Sequence, residues 1–350
     1  MRGRVYPLFG GRHLAQWVRE GGRPERRVIG YFQRLQWHAY WFEHNWQAQT
    51  RSLGDSKLPE DPVFILGLWR SGTTVLHELL VATGHWYTPQ TWQCFNPSTC
   101  FLSAPPAAEG SSVRPMDGGS ISTRSPQEDE FALLLLGEPS LYRGFIDPRR
   151  LRECAEGLWS PGHYELRRWQ DFVRGITRSA TSSRLLLKSP SHTFRLPLLR
   201  SLFPRARFIW IGRHIGEVLA SNRRMWPAMT DRYALWAPPE AALEAFLQDM
   251  LGACSTVITR CLDEMPRERM LWVDFEDLRT APREVVHRVL RFLKPNIRID
   301  DAAIARSLDR ALAQVPVHDG SRAPMPVEEP VRRLAGLMAA ARHRFSNPPG

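Results

Sequence analysis

Gly67-Leu68-Trp69-Arg70-Ser71-Gly72-Thr73-Thr74 has the two glycines of a phosphate-binding loop, but Thr73 stands where the nucleotide-hydrolase pattern G-x-x-x-x-G-K-[ST] has lysine. Val63-Phe64-Ile65-Leu66 before it is a short apolar run rich in β-formers. Val75 to Val81 after it has helical character and ends near Gly84. The order is strand, glycine loop, helix, and at such a junction the unpaired N–H groups and the helix dipole converge on an anion. Gly72 permits close backbone approach, and Ser71, Thr73 and Thr74 add hydroxyl donors. The fixed cation has moved inside the loop, to Arg70. The loop is expected to hold phosphate without hydrolysing ATP.

Further along the chain, Arg184-Leu185-Leu186-Leu187 reads as a second strand, followed by Lys188-Ser189-Pro190-Ser191-His192 and a helix to about Leu202. Arg207 to Ile211 is a third strand, closed by Gly212-Arg213 and another helix. Met270 to Val273 is a fourth, leading through Asp274-Phe275-Glu276-Asp277-Leu278 to a helix over Pro282 to Leu293. Strands alternating with helices predict an α/β fold with a P-loop-like parallel sheet flanked by helices on both faces. Ligands of such sheets lie outside the carboxyl ends of the strands, where Arg70, Lys188 and Arg213 are expected to converge. The strand Phe208 to Ile211 has no Walker-B aspartate after it.

Residues 1–61 read as an N-terminal helical extension to an α/β domain spanning 62–350, with helices over Leu14–Glu20 and from Val28 to about Gln49. Its aromatics, among them Trp37, Trp41 and Trp46, have the chemistry to dock on a membrane surface or an acyl substrate, but at helical spacing they are expected to pack onto the parent domain. Thr88 to Ser125 is rich in Pro, Ser and Gly and loses periodicity, which predicts a long surface excursion suited to acceptor binding. Ser125-Pro126-Gln127-Glu128 reads as a capping box opening a helix through Leu136. A helix after Ser160-Pro161, a loop over Val315 to Pro330 and a basic helix over Val331 to Phe345 complete the pattern.

The 350 residues suffice for one large domain or two small ones, and 43% hydrophobic with 24% charged residues is ordinary globular composition. No apolar run approaches the roughly 20 residues that span a bilayer. The basic start Met1-Arg2-Gly3-Arg4 lacks the apolar core of a signal peptide, so the expected compartment is the cytoplasm. Five cysteines with no C-x-x-C pair suggest buried free thiols and no metal ligation. The net charge of +11 suits anionic ligands, yet the arginines are scattered rather than gathered into one nucleic-acid-binding segment. Lysine occurs only at positions 57, 188 and 294, which singles out Lys188 at a strand end.

These motifs, in this order, resemble the sulfotransferases that use 3′-phosphoadenosine-5′-phosphosulfate (PAPS), in particular their bacterial branch. The loop Gly67 to Thr74 resembles the family's 5′-phosphosulfate loop, and Lys188 to His192 its Lys-Ser-Pro-x-His segment. Arg213 and Ser221, eight residues apart, have the spacing of the pair that holds the 3′-phosphate. Phe275-Glu276-Asp277-Leu278 resembles the Tyr-Glu-Asp-Leu signature, and Pro126 to Glu130 also falls in the family's order. The chain departs from the pattern at Trp69, where proline is common, and at Gln93, where relatives often carry glutamate. The late basic cluster that completes the 3′-phosphate site in cytosolic members is not evident, and Arg322 is the candidate substitute.

The resemblance implies in-line attack by an acceptor hydroxyl or amine on sulfur. Arg70 and Lys188 would stabilise charge on the leaving 5′-phosphate and the sulfuryl oxygens, while Arg213 and Ser221 clamp the 3′-phosphate. The sulfuryl group carries less negative charge than a terminal phosphoryl, so side-chain cations and N–H groups suffice and no metal is expected. His192 is the expected base, with Asp129 and Glu130 competing for the role. Contacts to PAPS are expected from Gly67, Arg70, Ser71, Gly72, Thr73, Thr74, Arg213 and Ser221. The acceptor would be a small molecule, carbohydrate or lipid, and neither a nucleic-acid partner nor a membrane span is expected. Oligomeric state is open. A phosphate-loop kinase and a non-catalytic adenosine-bisphosphate-binding protein are the alternatives.

Overall fold

The computed structural model describes residues 16–17, 19–22, 24–25, 31–102, 104, 110–114, 118–159, 165–180, 184–293, 301–312 and 328–347. In chain order the elements include α1 (Tyr31–Leu53), β1 (Val63–Leu66), α2 (Thr73–Ala82), β2 (Trp86–Tyr87), α3 (Thr91–Phe95), β3 (Ser111–Val113), β4 (Ser120–Ser122) and α4 (Glu130–Leu136). They continue with α5 (Leu151–Trp159), α6 (Arg167–Ser179), β5 (Arg184–Lys188), α7 (Leu196–Leu202), β6 (Arg207–Gly212), α8 (Ile215–Tyr233) and α9 (Ala242–Glu264). The last are β7 (Met270–Asp274), α10 (Phe275–Thr280), α11 (Pro282–Leu293), α12 (Asp301–Leu312) and α13 (Glu329–Phe345). The helix start predicted at Ser160-Pro161, Arg322, most of the Val315 to Pro330 stretch and part of the Leu14–Glu20 helix lie outside the described residues.

The chain divides into two compact units. One comprises Glu60–Thr88, Ser182–Arg223 and Leu247–Gly350, and it contains a five-stranded sheet of order β2-β5-β1-β6-β7. Every neighbouring pair is parallel. This explains why all of β1 is buried: a parallel sheet is covered on both faces and leaves no polar side to alternate with. Val63 and Ile65 join Leu76, Leu79 and Leu80 of α2, Val285, Val286 and Val289 of α11 and Leu308 of α12 in one core cluster. Phe64, between them in sequence, points to the opposite face, where it stacks on Phe208 and tilts against Phe203. β1 pairs with β5 on one side and β6 on the other, with Ile65 opposite Lys188 and Leu66 opposite Trp210. The segments leaving β1, β5 and β6 are therefore neighbours at one edge, where the strand order switches.

The other unit comprises Met1–Pro59, Pro89–Thr181 and Arg224–Phe246. Within it the Pro- and Ser-rich excursion is more ordered than its composition implies, for it forms α3 and the antiparallel hairpin β3-β4. Ser125 to Glu128 is not the helix start. α4 begins at Glu130, and Asp129 at its N-cap makes no side-chain cap bond. Pro126 bridges Gln90 in an antiparallel pairing, and the Gln127 N–H donates to the Pro89 carbonyl (2.9 Å), so this backbone is committed to a strand-like pairing. Ser125 Oγ accepts from the Ser122 N–H instead, and Glu128 accepts from the Tyr142 hydroxyl. The reciprocal cap belongs to α3, where the Gln90 N–H donates to Gln93 Oε1 at 2.9 Å. Gln93, one of the departures from the family pattern, is thus a capping residue.

Candidate functional site

The glycine loop begins where β1 ends. Arg70 lies in the left-handed region at φ 73°, and Gly72 follows at φ 100° as the N-cap of α2. Two such residues so close together reverse the chain, and the Ser71 N–H closes the turn on the Leu68 carbonyl (3.1 Å). A Cβ at Gly72 would meet the Phe275 ring at 2.3 Å, and one at Gly67 the Ile211 carbonyl at 2.7 Å. Both positions need glycine, for conformation and for space. α2 then presents its first-turn N–H groups at the sheet edge. The Ser71 hydroxyl is buried with no hydrogen-bond partner among the described residues, a donor held ready beside those N–H groups.

The loops after β5 and β6 close around this turn. Lys188, 3% exposed at the end of β5, donates from Nζ to Thr74 Oγ1 at 3.2 Å. Thr193 latches the β5 loop to the β1 loop: the Gly67 N–H donates to Thr193 Oγ1 (2.9 Å), whose hydroxyl donates to the Gly67 carbonyl (3.0 Å). From the end of β6, Arg213 donates through Nη1 to the Arg70 carbonyl (3.1 Å) and through Nε to Glu217 (2.8 Å). Its guanidinium lies 4.3 Å from the Phe275 ring centroid, a cation–π contact. Arg70 turns toward α8, where its Nε donates to Ser221 Oγ at 3.1 Å. Arg70, Arg213 and Ser221 are one connected group, with Lys188 and Thr74 on the β5 side of the loop.

His192 is placed differently from these neighbours. The short helical turn Pro190–Thr193 carries its ring into the core, fully buried and edge-on to Phe64 at 5.6 Å between centroids. Of the competing carboxylates, both in the other unit, Asp129 accepts from Trp169 Nε1 (2.7 Å) and Glu130 from Ser140 Oγ (2.6 Å), and both are fully buried. Sequence reasoning passed over His77, on the second turn of α2. This imidazole is completely buried and bonded through Nε2 to Thr88 Oγ1 at 2.8 Å. Burial, and then the nearby Lys188 ammonium, hold its pKa well below the usual imidazole range, so it is neutral. Thr193 and Phe275 were also missed as supports of the loop. For Phe275 a signal existed, since it heads the Phe-Glu-Asp-Leu segment directly after a strand end.

Among the described residues no cluster of three or more His, Cys, Asp or Glu side chains is arranged to hold a metal ion, and no helix is long and apolar enough to cross a membrane. The sequence model of the sulfotransferase family matches residues 62–298, which include the whole strand–loop–helix, Lys188, Arg213 and Phe275. The chain belongs to the sulfotransferase family. It is 30% identical over 256 residues, 69% of its length, to the omega-hydroxy-beta-dihydromenaquinone-9 sulfotransferase Stf3 of Mycobacterium bovis and to that of Mycobacterium tuberculosis. The match spans 65% of the length of those relatives. In fold it is similar to sulfotransferase STF9 of Mycobacterium avium, with a TM-score of 0.61 at 18% identity over 90% of this chain and 82% of that one. It is equally similar to STF1 of Mycobacterium tuberculosis, with a TM-score of 0.61 at 17% identity over 91% and 89%. Family membership displaces the kinase alternative, in line with Thr73 at the lysine position.

Proposed function

We propose that this chain transfers the sulfuryl group of PAPS to a hydroxyl of an acceptor, and that a lipid alcohol is the acceptor class to test first. The observation that carries the reading is the joining of the glycine loop to Lys188 on one side and to Arg213 and Ser221 on the other. Such an edge offers N–H donors and three cations to a nucleotide phosphorylated at two positions. Thr73 in place of lysine, and no aspartate directly after β6, argue against ATP. The lipid alcohol is suggested by the name of the mycobacterial relatives, which are 30% identical. Residues 62–350 would form the transferase domain, with 1–61 as an extension to it.

In this reading the donor supplies an activated sulfuryl group. The N–H groups of Gly72 to Thr74 hold the 5′-phosphate, and the buried Ser71 hydroxyl adds a donor to them. The Lys188 ammonium, poised on Thr74, stabilises negative charge where the leaving phosphate develops it. Arg213 and Ser221 bind the 3′-phosphate, and Arg70 links that group to the loop. His192 as base has the weakest geometric support, because its ring faces Phe64. Placing the phosphates on fixed donors in a preorganised loop costs no rearrangement at the moment of transfer.

Incubating the full chain with PAPS and a lipid extract, then reading new sulfate esters by mass spectrometry, tests the proposal. Wild type is expected to form at least one sulfated lipid and Lys188→Ala none. Equal product from Lys188→Ala would remove that residue from the mechanism, and no sulfation of lipids, sugars, phenols or sterols by wild type would favour a non-catalytic binding protein.

A further inference from the structure

A loop that binds phosphate through N–H groups must turn its carbonyl oxygens elsewhere, since an oxygen beside the anion repels it. At the apex two successive carbonyls need such an outlet, those of Trp69 and Arg70. The Arg70 carbonyl accepts from Arg213, already a candidate ligand of the 3′-phosphate. The Trp69 carbonyl accepts from Asn222 Nδ2 at 2.8 Å.

Asn222 is fully buried on α8, one residue past Ser221. Its Nδ2 also donates to the Val218 carbonyl of the same helix at 2.8 Å, so both amide hydrogens are engaged. Its Oδ1 is buried with no partner among the described residues. An asparagine in a helix interior is a poor helix former, and an unsatisfied buried amide oxygen is a further cost. Leucine has the same branched skeleton with no polar atom to leave unsatisfied. What it lacks is the donor to Trp69. The Trp69 ring is stacked on Phe194 at 5.8 Å and is 3% exposed, so the residue is pinned at its side chain and at its carbonyl. The peptide between two fixed residues, Trp69 and the left-handed Arg70, then has little freedom to flip.

We propose that Asn222 is a positioning residue of the anion loop: it holds the Trp69 carbonyl toward α8 so that the N–H groups from Gly72 onward face the 5′-phosphate. It acts through the loop and not by contact with the ligand. The inference rests on the donor-binding reading above and assigns a supporting residue that lies outside the motifs carrying the family resemblance.

Calorimetric titration of the full chain, wild type, Asn222→Leu and Asn222→Ala, with adenosine 3′,5′-bisphosphate, adenosine 5′-phosphate and adenosine 3′-phosphate is the test. Both variants are expected to bind the two ligands that carry a 5′-phosphate about tenfold more weakly, the scale of one hydrogen bond, with unchanged stoichiometry. Adenosine 3′-phosphate should be unaffected. A merely structural role would lower the fraction of active protein and leave the affinity of that fraction alone. Asn222→Leu over-fills the site and Asn222→Ala empties it, so a loss of 5′-phosphate affinity shared by both is the lost donor and not a packing change of either sign. If wild type binds and Asn222→Leu binds adenosine 5′-phosphate with equal affinity, the positioning role is refuted while the donor reading stands. A loss shared equally with adenosine 3′-phosphate, or confined to it, also overturns the role, since Asn222 would then act through Ser221. If wild type binds none of the three, both readings fall together.

Discussion

Replacing Gly72 with alanine separates two reasons for a glycine in the loop. The position has φ 100° and ψ 11°, which costs an L-residue about 1–2 kcal/mol. The new Cβ would also stand 2.3 Å from Cδ2 and 2.7 Å from Cε2 of Phe275, and overpacking of that kind costs about 1–3 kcal/mol. Phe275 is 7% exposed and belongs to the core cluster, so its ring cannot swing into solvent without loss of burial. The sum, about 2–5 kcal/mol, is a large share of the roughly 5–15 kcal/mol that typically holds a domain together. Urea unfolding followed by tryptophan fluorescence measures it. Phe275→Ala alone is expected to cost about 3–5 kcal/mol, but in the double variant the clash is gone, so the two effects should fall short of additivity by about 1–3 kcal/mol. What remains of the Gly72 effect should be the backbone part. Additivity within about 0.5 kcal/mol, or a single Gly72→Ala variant as stable as wild type, would refute the contact with Phe275 as the reason for the glycine.

Three further outcomes are expected. His77 stays neutral when folded, so below its ordinary value of 6.5 the unfolded chain takes up a proton that the folded chain excludes. Stability should therefore fall as the pH drops below that value, by up to about 1.4 kcal/mol per unit, and His77→Gln should remove this part of the slope; an unchanged slope contradicts the assignment. His192→Ala removes a buried ring from the Phe64 layer and should lower stability by about 2–4 kcal/mol; loss of transfer with bisphosphate binding intact would identify it as the base, and retained transfer would exclude it. Burial pushes the Cys154 and Cys261 thiols up to about 12 and raises those of Cys100 and Cys254 as well. None of the five cysteines is in a disulfide, so a thiol reagent at about pH 8 should react slowly with native protein and with five thiols after denaturation.

The centre of the fold was legible because its signals are local. Val63 to Thr74 announces strand, loop and helix within twelve consecutive positions of the chain, and β5, β6 and β7 each appear as an apolar run closed by Lys188, Gly212-Arg213 and Asp274 respectively. Their meeting at one edge follows from parallel connection rather than from any single residue. Elements without such punctuation were missed. β2 is only Trp86–Tyr87, too short for periodicity, and α9 lies beyond the proline-containing turn after Tyr233, with no motif to draw attention to it. Ser125 to Glu128 misled because it satisfies a capping pattern while its backbone is paired with Pro89 and Gln90, and no local pattern reports a partner so far back along the chain.

In the site, residue types were readable but their directions were not. The sign of φ at Arg70 sends its side chain to Ser221, and the helical turn after Ser189 sends His192 into the core. Asn222 and Thr193 were hidden for a different reason. Each works by a hydrogen bond to a loop carbonyl or N–H, a role that leaves no mark in residue spacing.

The most direct test of the donor site is its preference between two nucleotides. In a metal-free buffer with chelator, the full chain is expected to bind adenosine 3′,5′-bisphosphate at least about tenfold more tightly than ADP, a preference that Arg213→Ala should abolish and Lys188→Ala should leave in place while weakening both. Equal or tighter binding of ADP by wild type would contradict the assignment of this loop and its cations to a sulfuryl donor.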